Sequence, residues 1–234
     1  MNRKGEPVVL DDSFAGFPLS SFCIPERYVP HLESVLVSNG MIKDRIKRIA
    51  VEIIEFFENE GITSVSIFCV LKGGFKFFSD LIDEMQQSIW SKNCNISLQI
   101  EFVRVKSYID TKSGDVVISD KENCMSIKGK NVLVVDDLVD TGNSMLKLTE
   151  YLHVLGALSV HVTCLLLKRT QLSRGYRPDF LGFEVPDRFI VGYAIDYNEC
   201  FRDLLHICSI NEKAKKVFSM RNQGELGYLP PVDS

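Results

Sequence analysis

The residues best suited to chemistry lie in the segment from Val132 to Ser144. A short apolar run, Val132–Val135, is followed by the adjacent carboxylates Asp136 and Asp137 and then by Asp140–Ser144, where a helix is predicted to begin. Backbone N–H groups at a helix start, with the positive end of the helix dipole behind them, bind phosphate well. Acidic side chains just before them can accept hydrogen bonds from two vicinal sugar hydroxyls. The segment therefore predicts a sugar-phosphate site, although Asp, Thr, Gly and Ser are also common in ordinary turns.

Charged or glycine-rich residues follow three further predicted strands. They are Lys72-Gly73-Gly74, Lys168-Arg169 and Asp196. Ligands of open α/β sheets bind outside the carboxyl ends of the strands, so these positions predict a single site at one edge of the sheet. Each also has a simpler interpretation, because Lys168 and Arg169 could be solvated charges and Asp196 could cap a turn. Their common placement favours the functional interpretation.

Apolar periodicity predicts the elements that position these residues. Apolar residues at three- and four-residue steps predict a helix from about Ile42 to Phe57, and two more helices are expected at about Phe75–Ile89 and Ser144–Leu155. The predicted strands are Val65–Leu71, Ile96–Val105, Val132–Val135, Ser159–Leu167, Phe180–Glu184 and Phe189–Tyr193. This alternation predicts an α/β fold, a mainly parallel twisted sheet flanked by helices. The polar segment from Lys106 to Lys130 is expected to be a disordered or functional loop.

Composition excludes several classes of protein. The 234 residues are 45% hydrophobic and 25% charged, which is typical of a globular chain rather than a disordered one. The net charge of −4 argues against nucleic acid as a partner, and no apolar stretch approaches the ~20 residues that span a membrane. The seven cysteines form no C-x-x-C pair, and the four histidines lack metal-ligand spacing. With no secretory signal at the N-terminus, these features predict a cytoplasmic protein.

The segment from Val132 to Ser144 resembles the phosphoribosyl diphosphate (PRPP) binding motif of the type I phosphoribosyltransferases. Other segments between about Phe22 and Ser209 resemble the hypoxanthine-guanine members of that family. They are Phe22–Pro25, Val70–Gly74, Lys106–Tyr108, Leu166–Thr170, Gly175–Phe180, Val191–Glu199 and Phe201–Asp203. The resemblance implies the type I phosphoribosyltransferase fold in a single domain over residues 1–234. Its core would span about 40–170, a small hood would come from about 1–39 and 171–215, and the tail 216–234 would be peripheral.

The resemblance also implies roles for matching residues around PRPP. Asp136 and Asp137 would hold the ribose 2′- and 3′-hydroxyls, and Asp140 would be the acid/base at the purine N7. The 5′-phosphate would be bound by the backbone of Asp140, Thr141, Gly142, Asn143 and Ser144. The diphosphate would be contacted by Lys72, Gly73 and Arg202, and the family has a cis peptide bond at the position of Leu71–Lys72.

For the purine base, the resemblance implies contacts from Lys168 to O6, stacking by Phe189, and backbone contacts from Ile190 and Asp196. The Asp196 carboxylate would also reach a Mg²⁺ ion, the implied cofactor. Ser107 and Tyr108 would belong to a mobile loop that closes over the site. The implied reaction converts hypoxanthine or guanine plus PRPP to IMP or GMP plus pyrophosphate, carried out by a homodimer or homotetramer.

Three positions depart from the family pattern. Asp136 stands where Glu is frequent, Asn143-Ser144 stands where Lys-Thr is common, and Leu172 stands where some relatives have a basic residue. These departures leave two alternatives open. One is a catalytically weak paralogue that binds PRPP or nucleotide, and the other is a regulatory protein of the same fold that binds RNA. The negative net charge and the lack of a basic stripe disfavour RNA binding.

Overall fold

A seven-stranded sheet, parallel except at one edge, carries three of the four strand ends singled out by the sequence. The fourth, at Asp196, was predicted for the same sheet but follows a strand of a separate three-stranded sheet. The chain is represented by a computed structural model that describes residues 5–107, 116–119 and 127–219. Within those limits the chain divides into two units, one from residues 5–11 and 44–187 and the other from residues 12–43 and 188–219. The seven-stranded sheet belongs to the first unit.

The strands of this sheet, numbered along the chain, are β1 (Val8–Val9), β3 (Ser64–Leu71), β4 (Ser97–Ser107), β5 (Val116–Ser119), β6 (Asn131–Val139), β7 (Ser159–Arg169) and β8 (Phe180–Pro186). Their order across the sheet is β1-β8-β7-β6-β3-β4-β5. All neighbours are parallel except β4 and β5, which are antiparallel. The predicted mainly parallel α/β sheet is confirmed.

Among the described residues, three helices of at least twelve residues accompany the sheet. They are α1 (Asn39–Asn59), α2 (Phe75–Lys92) and α3 (Asn143–Val154), and each end lies within three residues of its prediction. Val132 and Val134 of β6 share one core cluster with Leu148 and Leu152 of α3. Burial of these apolar side chains holds α3 against the strand that precedes it. No helix in the described ranges is both long and apolar enough to cross a membrane.

The sequence misplaced the end of β6 and missed a strand. β6 continues past Val135 to Val139, because Asp136 and Leu138 keep pairing with Cys164 and Leu166 of β7. Backbone hydrogen bonds thus extend the strand through polar residues. β5 lies inside the segment predicted to be a loop, where it pairs with residues 104–107 of β4. β8 falls in the range assigned to the hood by the sequence, but it pairs with β7 in the large sheet.

The second unit contains a three-stranded antiparallel sheet that the sequence largely missed. Its strands are β2 (Leu32–Val37), β9 (Ile190–Val191) and β10 (Ile207–Ile210), in the order β2-β10-β9, and the helix α4 (Glu212–Ser219) follows. Only β9 falls within a predicted strand, Phe189–Tyr193. The core of this unit includes Tyr28, Val35, Phe201 and Phe218.

In the second unit, His206 accepts a hydrogen bond from the start of α1. This contact predicts that the stability of the protein depends on pH. The backbone N–H of Asn39 donates to Nδ1 of His206 over 2.9 Å, and burial lowers the pKa of the imidazole. As the pH falls, the folded protein therefore protonates His206 at a lower pH than the unfolded chain does, whose histidines titrate at about 6.5. The stability contributed by neutral His206 is present above that pH and is lost as the pH falls towards the folded-state pKa.

We expect His206→Asn to flatten the fall of the melting temperature between about pH 7.5 and pH 5, because the amide oxygen can accept the same hydrogen bond without titrating. His153→Asn, at the exposed C-terminal end of α3, is the matched control and should keep the wild-type slope. Equal slopes for all three proteins would contradict the assignment.

Candidate active site

The loop between β6 and α3 forms an anion cradle. Gly142 has φ 84° and ψ −5°, a left-handed conformation that favours glycine, and α3 begins at the next residue. The first bond back to this turn runs from the N–H of Leu146 to the carbonyl of Gly142 over 3.0 Å. The N–H groups of the first helical turn therefore have no acceptor within the helix. With the helix dipole behind them, they suit a phosphate group.

The two adjacent carboxylates lie in different surroundings. Successive side chains of a strand point to opposite faces, and Asp136 continues the row of Val132 and Val134 beneath α3. Asp136 is only 9% exposed, and its Oδ1 accepts the backbone N–H of Asp137 over 3.0 Å. Burial, with the charge of Asp137 adding to it, raises the pKa of Asp136 well above its ordinary value.

Asp137 lies against the loop between β3 and α2. A Cβ atom on Gly73 would come within 2.2 Å of Oδ2 of Asp137, so the absence of a side chain at Gly73 lets this carboxylate approach. A Cβ on Gly74 would meet the carbonyl oxygens of Val70 and Val135 at 2.6 and 3.3 Å. The loop thus packs tightly over the ends of β3 and β6. The expected cis peptide bond between Leu71 and Lys72 is confirmed.

Lys168, near the end of β7, reaches the loop after β6. Its Nζ lies 3.2 Å from Oδ2 of Asp140, and its side chain is 11% exposed while that of Asp140 is 52% exposed. The carboxylate predicted to be the acid/base is therefore open to solvent on one side and held by a cation on the other. The structure brings Gly73, Asp137, Asp140 and Lys168 to one edge of the sheet, as the sequence predicted for their strand ends.

Burial and the nearby carboxylate pair keep two thiols neutral. Burial, reinforced by the charges of Asp136 and Asp137, raises the pKa of Cys69 to about 12. The same causes raise the pKa of Cys164, whose thiol donates to the carbonyl of Leu166. Both thiols therefore stay neutral at physiological pH and act as small packing groups.

The second unit carries the other predicted site residues. Phe189 is 38% exposed and its ring meets that of Tyr197 edge-on, with 4.6 Å between centroids. Oδ2 of Asp196 accepts the backbone N–H of Glu199 over 2.8 Å, and its Oδ1 lies 2.8 Å from Nη2 of Arg202. Ile190 is buried in β9, where its backbone pairs with Ser209. Asp196 and Arg202 are thus held together as an ion pair.

Two predicted features lie outside what the structure describes. Ser107 is the last residue of β4, but its side chain is not described, and Tyr108 falls outside the described residues. The proposed mobile loop at these residues stays a prediction. In the described part of the chain, no group of three or more His, Cys, Asp or Glu side chains is arranged to hold a metal ion.

Sequence reasoning also missed contacts made by the segment that follows β7. The N–H of Arg174 donates to the carbonyl of Thr141 over 2.8 Å, and Tyr176 packs against Gly142. The segment Gly175–Phe180 contributed to the family resemblance, but no residue in it was given a role. The spacing of more than 30 residues along the chain offers no local signal for such a contact.

Comparison with known proteins supplies a family for this architecture. A family model described as a phosphoribosyl transferase domain matches residues 36–198. Over 218 residues the chain is 47% identical to the hypoxanthine-guanine phosphoribosyltransferase of Schistosoma mansoni, covering 93% of this chain and 76% of that one. The human enzyme of the same name is 42% identical over 216 residues, covering 92% of this chain and 98% of that one.

A solved structure is similar over nearly the whole chain. It is the Schistosoma mansoni hypoxanthine-guanine phosphoribosyltransferase in complex with IMP, which has a TM-score of 0.79 and 44% sequence identity. The match covers 92% of this chain and all of the other. The similarity therefore extends through both units.

The buried carboxylate of Asp136 predicts a stability gain on neutralisation. Its raised pKa means that, as the pH falls, Asp136 is protonated at a higher pH in the folded protein than in the unfolded chain, where Asp titrates at about 3.9. The penalty for the charge applies above the folded-state pKa and disappears as the pH falls towards the unfolded-state value. Asp136→Asn, which keeps the oxygen that accepts the Asp137 N–H, should therefore melt at a higher temperature than wild type at pH 8.

That difference in melting temperature should shrink as the pH is lowered towards 4. Asp83→Asn on the exposed side of α2 controls for the loss of one charge from the chain. A lower melting temperature for Asp136→Asn at pH 8, or a difference independent of pH, would contradict the interpretation.

Proposed function

The chain belongs to the phosphoribosyl transferase family, and on that premise we propose that it is a purine-salvage enzyme. It converts hypoxanthine or guanine plus PRPP to IMP or GMP plus pyrophosphate. Support comes from relatives of that name at 42–47% identity and from a similar structure solved with IMP. The observation that carries the proposal is the helix-start cradle at residues 140–144 directly behind the two carboxylates.

In the first unit, this proposal gives each strand end a task. The N–H groups of residues 140–144 bind the 5′-phosphate, which places the ribose over the end of β6. Asp136 and Asp137 are proposed to accept hydrogen bonds from the ribose 2′- and 3′-hydroxyls. Lys72 and Gly73 contact the diphosphate of PRPP. Each of these proposed contacts is made by residues at or just after the end of a strand.

Catalysis requires a proton acceptor and a stabilised leaving group. As the bond from ribose C1 to pyrophosphate weakens, positive charge develops on the sugar, and the purine nitrogen attacks C1. The partly exposed carboxylate of Asp140 accepts the proton that the purine loses, at N7, and the neighbouring Lys168 donates to O6. Arg202 neutralises charge on the departing pyrophosphate. The predicted loop at Ser107 and Tyr108 would exclude the water that competes with the purine for C1.

Mg²⁺ is proposed as the cofactor, with Asp196 as its protein ligand. Mg²⁺ usually binds through one or two carboxylates together with substrate phosphates rather than in an all-protein cage. A single carboxylate fits that mode, in keeping with the lack of a multi-ligand cluster among the described residues. When bound, the ion supplies charge neutralisation on the diphosphate. Phe189 and Ile190 of the second unit are proposed to contact the purine.

The family resemblance also supports a cytoplasmic homodimer or homotetramer as the working state. The alternatives are a catalytically weak paralogue that binds nucleotide and a regulatory protein that binds RNA. The departures at Asp136 and Asn143 favour the first of these, whereas the net charge of −4 disfavours the second.

Pyrophosphate release separates these functions. The full chain with Mg²⁺, PRPP and guanine should release one pyrophosphate for each GMP formed, and omission of the base should abolish the release. Asp137→Ala is the matched variant, since it removes the ribose contact while leaving the cradle intact, and it should slow the release of pyrophosphate. Tight IMP binding without turnover would support the weak paralogue, and binding of RNA without either activity would support the regulatory protein.

Asp140→Asn should lower kcat by about 10²–10⁴-fold, the usual contribution of a general acid or base. Binding of PRPP should change little, because the backbone N–H groups of the cradle remain. The measurement is kcat and the KM for PRPP, with Asp83→Asn as the surface control. A kcat within twofold of wild type would remove Asp140 from the role of acid/base.

Lys168→Gln should narrow the preference for 6-oxopurines over adenine. An ammonium can only donate, so it suits the O6 acceptor and opposes the amino group of adenine, whereas an amide can present its oxygen. A mismatched buried polar group costs on the order of 1–3 kcal/mol. The ratio of kcat/KM for guanine to kcat/KM for adenine should therefore be about tenfold to a hundredfold lower in Lys168→Gln than in wild type.

The neighbouring cation offers a control for Lys168. Arg169 donates to the backbone carbonyl of Leu10, so Arg169→Gln removes the neighbouring charge at the end of the same strand. It should leave the ratio of guanine to adenine use unchanged. If Lys168→Gln also leaves that ratio unchanged, the base is selected elsewhere.

A further inference from the structure

We infer that Tyr176 is a positioning residue for the 5′-phosphate, acting through Gly142; this inference rests on the proposed function. The residue touches the phosphate loop from the side of β7 and makes none of the contacts proposed for substrate. Its role is to fix the left-handed turn from which the N–H groups of the cradle project.

The contact with Gly142 is close. A Cβ atom on Gly142 would lie 2.6 Å from Cβ and 3.5 Å from Cγ of Tyr176. Tyr176 therefore occupies the space beside the glycine at the position where φ is 84°. Two residues earlier, the N–H of Arg174 donates to the carbonyl of Thr141 over 2.8 Å. The turn is thus held from outside at two consecutive residues.

Tyr176 is itself held firmly. Its side chain packs against the core cluster that includes Met145 and Leu148 of α3, and burial raises the pKa of its hydroxyl. Beyond it, Asp179 is bound to Val162 of β7 in both directions: the N–H of Asp179 donates to the Val162 carbonyl over 2.9 Å, and the N–H of Val162 donates to Oδ2 of Asp179 over 3.0 Å. The segment is therefore anchored to the sheet on one side and to α3 on the other.

This arrangement matters because a glycine turn has wide conformational freedom of its own. Packing against Tyr176 removes that freedom before the ligand arrives, so less ordering is required on binding. Small displacements of groups that position a substrate can cost as much as about a hundredfold in rate. The contribution of Tyr176 should therefore be specific to ligands that carry a 5′-phosphate.

The test compares IMP affinity in variants that lose similar packing. Tyr176→Ala keeps the Cβ beside Gly142 but removes Cγ and the ring that packs against the core cluster, so the turn should loosen and the Kd for IMP should rise by about tenfold. Tyr176→Phe should bind like wild type, because it keeps the Cβ and Cγ beside Gly142 and the ring that packs against the core cluster, and loses only the hydroxyl. Tyr151→Ala is the matched control: Tyr151 lies on α3 and packs against the same core cluster, but outside the phosphate loop. It should keep the wild-type Kd even where its melting temperature falls as far as that of Tyr176→Ala.

Kinetics provide the readout that a merely structural role would not move. Tyr176→Ala should raise the KM for PRPP about tenfold while the KM for guanine stays within about twofold. Tyr176→Leu, which keeps more bulk, supplies an intermediate value and serves if the alanine variant fails to fold. Equal losses for PRPP and guanine, or the same Kd for IMP in Tyr176→Ala and wild type, would overturn the inference.

The outcome also separates this inference from the proposed function. A wild-type protein that neither binds IMP nor releases pyrophosphate contradicts the proposed function and, with it, the role of Tyr176. An active wild-type protein whose Tyr176 variants keep full IMP affinity contradicts the role of Tyr176 alone.

Discussion

Parallel pairing of β6 between β3 and β7 is the constraint on which the site depends. Val135 pairs with Cys69 on one side and with Thr163 on the other, so three strands end at one edge of the sheet. Because β6 is covered on both faces, its register is strongly specified. A slip of one residue would exchange the faces of Asp136 and Asp137 and separate Asp137 from Gly73. The chemistry of the loops is therefore set by backbone pairing deep in the sheet.

The carboxylates at this edge differ mainly in hydration. Asp136 is buried among thiols and apolar side chains, and its pKa is raised, whereas Asp140 is half exposed and lies beside the Lys168 ammonium. Two chemically identical side chains four residues apart therefore differ strongly in their contact with solvent. Under the proposed function, the exposed Asp140 is the one that exchanges a proton with the purine. The buried one supports the backbone at Asp137 through the hydrogen bond that its Oδ1 accepts.

Local signals predicted the elements well where an apolar pattern existed. Apolar periodicity predicted the three helices and the central strands, and the alternation of strands with helices predicted that the strands are mainly parallel. The C-terminal end of β6 and the presence of β5 could not be predicted in this way, because backbone hydrogen bonds to a neighbouring strand also stabilise a strand whose side chains show no apolar pattern. The pairing of Asp140 with Lys168 was not predictable, since 28 residues separate the two, although each strand end was singled out. The same holds for Tyr176, whose contact arises only once the chain after β7 returns to α3.

Gly73, Gly74 and Gly142 suggest how this chain tolerates sequence drift. At each of them, any other amino acid would bring a Cβ within 2.2–2.6 Å of a carboxylate, a backbone carbonyl or the base of an aromatic side chain. Positions such as Asn143 and Leu172 carry no comparable barrier from a left-handed backbone, and Leu172 is exposed. Substitutions of the side chains around the phosphate loop should therefore cost less stability than substitutions of Gly74, which meets backbone atoms, or of Gly142, which has a left-handed backbone. At this edge of the sheet the backbone is thus fixed, whereas the side chains around it can vary.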